Sequence, residues 1–176
     1  FQRMETLRGF VDNNFSGRDW NLASAMVING EAAFQIMGDW AKGEFAQARQ
    51  EAGKDYGCSP GFGPNAPYII QGDVMVFPKT DKPDQIKAQQ LLASVITQPA
   101  TQVAFSMKKG SIPIRTDVDV SKMDPCAQMG VAAIKDKARQ LGNGEIYITP
   151  DQNGALQDVL TSYWNRHVAV EKLQKD

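Results

Sequence analysis

Four positions in this sequence carry side chains suited to holding a ligand, Trp40, Asp73, Lys109 and His167, and Asp39 stands beside the first of them. Trp40 sits where the apolar run Ala32–Met37 gives way, through Gly38, to the expected start of a helix. An indole there is a flat apolar surface with little conformational freedom to lose, suited to stacking on a ligand and equally to filling a core. The glycine before it lets the backbone come close to a ligand. Position alone leaves both roles open for Trp40, whereas Trp20 and Trp164 lie on helical apolar spacings and are expected in the core. Asp39 has a complete structural task as a helix N-cap.

Asp73 follows Gln71-Gly72 and precedes the apolar run Val74–Phe77, a costly place for a carboxylate unless something pairs with it. Lys108 and Lys109 end a predicted helix, where the helix dipole favours cations. Lys109 is the one placed to donate to a ligand or to pair with Asp73. His167 is the only histidine and comes late in the last predicted helix, where a solvent-facing or capping role is the ordinary outcome. Cys58 and Cys126 lie far apart in Gly/Pro-rich or Pro-flanked settings, which fits a disulfide in an oxidising compartment. Two unrelated buried thiols are the other reading. One histidine and no closely paired cysteines give no metal site, and no motif calls for a cofactor.

These residues need a scaffold, and 176 residues are enough to build one. The composition, 42% hydrophobic and 22% charged, is that of a globular chain rather than a disordered one. A net charge of -1 argues against nucleic acid and acidic membrane surfaces as partners. No apolar run approaches the roughly 18 residues that span a bilayer. The chain opens on Phe1 inside a helical pattern, as a processed protein or a piece of a longer one would.

The spacing predicts an opening helix within Phe1–Phe15 and a second over Trp20–Asn29, capped by Asp19. Ala32–Met37 reads as a buried strand, and a helix capped by Asp39 follows to about Gln50. Tyr56–Pro67 is a Gly/Pro-rich loop. Tyr68–Ile70 and Asp73–Phe77 are β-rich runs. Helices are expected over Gln85–Thr97 and from Pro99 to Gly110, the second opened by a first-turn proline. Ser111–Asp119 is extended, Pro125–Leu141 a long helix, and Glu145–Thr149 a short strand or extended link. A last helix runs over Gln152–Lys175 with Leu156, Val159, Leu160, Tyr163 and Trp164 on its buried face.

The stretch Gly30-Glu31-Ala32-Ala33-Phe34-Gln35-Ile36-Met37-Gly38-Asp39-Trp40, the Gly72–Phe77 strand, the paired helices through Lys109 and the Gly110-Ser111-Ile112-Pro113 segment come in a telling order. In that order the chain resembles the C-terminal part of the ABC-transporter extracellular (periplasmic) sugar-binding proteins, over essentially its whole length. The likeness is greatest to glucose/mannose-type monosaccharide binders, which carry an Asp-bearing strand and a Lys-Lys-Gly-Ser-Ile-Pro-like stretch.

The resemblance implies a two-lobe, type II-like periplasmic-binding-protein α/β fold, here mainly the C-terminal lobe with hinge-crossing segments. Residues 1–69 and 112–176 would form that lobe, and residues 70–111 would pack with an N-terminal lobe missing from this chain. It further implies a monosaccharide ligand stacked on Trp40 and anchored by Asp73, Lys109 and His167, with ABC permease subunits as partners. The location would be the periplasm, or the extracellular face with a lipid anchor in a Gram-positive cell. An enzyme is the first rival, but nothing in the spacing of Asp39, Glu44 and Asp73 specifies a glycosidase pair, and no nucleophile elbow or P-loop occurs. The second rival is a non-binding structural or docking fragment of such a protein.

Overall fold

The computed structural model describes residues 2–63 and 65–166. They divide into two compact units, one of Trp20–Leu141 and one of residues up to Asp19 together with those from Gly142 onward. The elements are helix-rich α/β: α1 (Gln2–Arg8), α2 (Trp20–Ile28), α3 (Lys42–Gln47), β1 (Tyr68–Ile70), α4 (Pro83–Ile96), α5 (Pro99–Lys109), α6 (Pro125–Lys135), β2 (Gln140–Gly142) and α7 (Pro150–Arg166). Strands β1 and β2 pair as a two-stranded sheet.

In the terminal unit α1 is shorter than its pattern suggested, ending at Arg8. Arg8 turns its Nη1 onto the carbonyls of Tyr163 and Trp164 at 3.0 and 2.5 Å. The Tyr163 hydroxyl donates to Glu5, and the Tyr163 side chain is fully buried. Phe15 meets Trp164 edge-on at 5.9 Å. Along α7, Val159, Leu160 and Trp164 are half-buried as their spacing required, while Leu156 is exposed. A 3-10 turn, Gly144–Tyr147, replaces the extended link expected there, because the Asn143 side chain accepts from the Glu145 N–H and tightens the chain.

The larger unit packs α3 against α2 and α5, and α6 against β1 and the 3-10 turn Asp39–Ala41. Its core includes Ala41, Phe45, Met123, Ala127 and Ala133, with Phe45 and Tyr56 in ring contact at 4.4 Å. Buried Gln102 is a polar stitch: its Nε2 donates to the Ile96 carbonyl at 2.8 Å and its Oε1 accepts from the Ile114 N–H at 3.1 Å. This fixes the extended segment after α5. Cys58 and Cys126 form a disulfide that ties the loop before β1 to the first turn of α6. The oxidised reading of the cysteines is the one realised.

Within this larger unit, further expected elements differ. Ala32–Met37 forms no strand; Phe34 is 88% exposed, and Gln35 docks on α2 through the Trp20 carbonyl at 2.9 Å and Ser24 at 2.7 Å instead of joining a ladder. Asp73–Phe77 is likewise irregular, with no strand partner among the described residues. The helix from Pro125 stops at Lys135, since the Asp136 side chain accepts from the Ala138 N–H and starts a 3-10 turn that leads into β2. An Asp side chain that accepts from the backbone two residues on is a stop signal of this local kind.

Candidate functional site

The candidate site grows from the place where α3 begins and α5 ends. Gly110 closes α5 in the left-handed region, φ +89°, where glycine is favoured. It does so against the first turn of α3: a methyl group at Gly110 would lie 2.8 Å from the Gly43 nitrogen, and one at Gly43 would lie 3.0 Å from the Lys109 carbonyl oxygen. Two glycines therefore let the two backbones meet, and each brings a candidate side chain with it.

From α5 comes Lys109, whose Nζ forms an ion pair with Asp73. The ammonium also stands 5.9 Å over the Phe105 ring, one turn back on the same helix. The pairing of Lys109 with Asp73 foreseen in the sequence is formed. The pair is open to solvent, with the Asp73 side chain 79% exposed.

On the α3 side, Asp39 does not cap the helix as expected. It is the first residue of the 3-10 turn, behind Gly38, and no side chain caps that turn. Its carboxyl is half-buried and titrates above the ordinary aspartate range, chiefly because burial disfavours the charge. Lys42, hydrogen bonds with the backbone of Ile112 and Trp40, and Lys109 oppose that rise. Burial also raises the Tyr68 phenol, with the Asp39 charge adding to it. Tyr68 lies against α6, where a methyl at Gly130 would come within 3.1 Å of its hydroxyl. Neither Tyr68 nor the environment of Asp39 was evident in the sequence. A tyrosine at the start of a strand, after a Gly/Pro loop, was the only available signal.

Trp40 is half-buried, and its indole lies back over Gly38. The glycine thus makes room for the ring. His167 lies outside the described residues. A shallow groove of about 530 Å³, lined by Pro78, Lys82, Gln85 and Gln89 among others, includes none of Trp40, Asp73 or Lys109. What the arrangement offers is an aromatic surface on one element and a carboxylate–ammonium pair on an adjoining one.

Residues 4–133 match the family of bacterial extracellular solute-binding proteins. The chain belongs to that family. A probable sugar-binding periplasmic protein of Brucella suis is 42% identical over 181 residues, covering 100% of this chain and 43% of the relative. One of Rhizobium meliloti is 41% identical over 98% of this chain and 42% of its own length. An ABC transporter extracellular-binding protein of Pyrococcus horikoshii is 32% identical over 75% of this chain and 29% of its own length. The chain therefore spans less than half the length of the curated relatives it matches. Among its described residues no helix is long and apolar enough to cross a membrane.

Proposed function

We propose that this chain supplies one wall of the sugar site of a periplasmic solute-binding protein that delivers its ligand to an ABC permease. The reading is carried by the meeting of α3 and α5, which sets Trp40 and the Asp73–Lys109 pair on adjoining elements. A pyranose has one face of C–H groups for the indole and hydroxyls for the charged pair. Asp73 accepts from sugar hydroxyls and Lys109 donates to one, while His167 enters on the family resemblance.

The second wall comes from the part of the protein this chain lacks, the N-terminal lobe. Apolar side chains between 69 and 107 support that assignment: Val74 and Val76 are 85% and 80% exposed, Leu91 64% and Phe105 53%. So much contiguous sequence with exposed apolar groups is the mark of a surface that another segment covers. The coverage of the relatives, 43%, leaves ample sequence for such a lobe. Closure of the two lobes over the sugar then reports occupancy to the permease.

The ligand is a monosaccharide such as glucose. Each hydroxyl buried without a partner costs on the order of 1–3 kcal/mol, which gives a closed site the means to reject an epimer. Calorimetric titration of the full-length protein with glucose and mannose tests the reading. Saturable binding of one of them, weakened in Trp40→Ala, is the expected result; unchanged affinity in that variant would remove the stacking role.

A further inference from the structure

The backbone of Gly38 is extended, with φ -69° and ψ 163°, a conformation open to every L-residue. Nothing in the main chain requires glycine there. Trp40 does. A methyl group at position 38 would fall 1.9 Å from Cζ3, 2.2 Å from Cη2 and 2.3 Å from Cε3 of the indole. The benzo edge of the ring fills the space that any side chain at 38 would take. The 3-10 turn that opens at Asp39 is what returns the ring over the residue two places before it.

We infer that Gly38 is a positioning residue for ligand stacking: the missing side chain at 38 seats the Trp40 indole and so sets the face that the ring offers to sugar. The inference rests on the stacking role proposed for Trp40. The atoms a side chain at 38 would strike are all at the end of the indole, not in the backbone. The ring can leave by changing rotamer while the chain keeps its path. Substitution at 38 therefore acts on the platform and largely spares the fold.

The test is a double-mutant cycle in the full-length protein: wild type, Gly38→Ala, Trp40→Ala and the two combined. Glucose and mannose affinities are measured by titration calorimetry, with thermal midpoints and near-UV circular dichroism beside them. Gly38→Ala is expected to weaken binding at least about tenfold, or about 1.4 kcal/mol, and to change the tryptophan dichroism while its thermal midpoint stays close to wild type. On the Trp40→Ala background the same change is expected to alter affinity less than about twofold, since no ring remains to displace. That background also accommodates the new methyl, so the cycle keeps its value if Gly38→Ala alone folds poorly. Wild-type affinity in Gly38→Ala, beside a weakened Trp40→Ala, overturns the inference alone. So does an equal loss from Gly38→Ala on both backgrounds. Wild-type affinity in Trp40→Ala overturns the stacking role and the inference with it.

Discussion

Lys42 places its Nζ 3.1 and 2.9 Å from the two carboxylate oxygens of Asp124, with its own side chain only 8% exposed. The same carboxylate caps α6, accepting from the Ala127 N–H at 2.9 Å. One side chain thus neutralises a buried ammonium and satisfies the start of a helix. Asp124→Ala removes both and is expected to cost about 3 kcal/mol, moderated by the partial exposure of Asp124. Asp124→Asn keeps a capping oxygen and loses only the charge, so it is expected to cost less. Urea unfolding of the three proteins checks the order; equal losses in both variants would mean that the cap contributes nothing.

The Asp73–Lys109 pair behaves differently because it faces solvent. Exposed pairs contribute little to stability, typically under about 1 kcal/mol. Asp73→Asn and Lys109→Met are therefore expected to leave unfolding almost unchanged. Sugar affinity of the full-length protein is expected to fall roughly tenfold or more in each, through the loss of charge-assisted hydrogen bonds. Wild-type affinity in both would exclude the pair from the site.

The Cys58–Cys126 disulfide closes a segment of 68 residues. In the chain-entropy picture a loop of that size is stabilised by on the order of 4 kcal/mol. Thermal unfolding with and without a thiol reductant is expected to show a clear drop in midpoint for the wild type. The Cys58→Ser, Cys126→Ser double variant is expected to start low and to ignore the reductant. Insensitivity of the wild type would show that the bond adds nothing to the folded state.

What could be read from sequence follows how local each signal is. Pro99 and Gly110 bracket α5 as written, because a first-turn proline and a left-handed terminal glycine act within a few residues. Gly38 and Trp40 were visible as a junction, yet which of them the space serves depends on where the indole folds back. The run Ala32–Met37 failed as a strand because a strand needs a partner, and Gln35 found α2 instead. Asp73 and Lys109 are 36 residues apart; their residue types suggested a pair, but only the crossing of Gly43 and Gly110 shows how Lys109 is held. Asp39 has the chemistry of a cap but stands inside the 3-10 turn, not before it. Of its surroundings, Lys42 is a neighbour in the chain, while Ile112 and Lys109 are brought to it by tertiary packing.

Asp39 offers a pH test whose sign follows from that packing. Burial holds its carboxyl above the usual value of 3.8, against the opposing pull of Lys42, the Ile112 and Trp40 backbone and Lys109. A native state with a raised carboxyl pKa binds the proton more tightly than the unfolded chain does. Its contribution to stability therefore falls as pH rises from 3.8 through the raised native value, and stays reduced above it. Asp39→Asn carries no such proton. The stability difference between wild type and Asp39→Asn is expected to be constant in strongly acidic solution, then to move in favour of the variant as pH rises, and to level off once the pH has passed the raised native value. Urea unfolding at a series of pH values reads this directly. A difference that moves in favour of the wild type over the same range would mean that the contacts of Asp39 with Lys42 and Ile112 outweigh its burial.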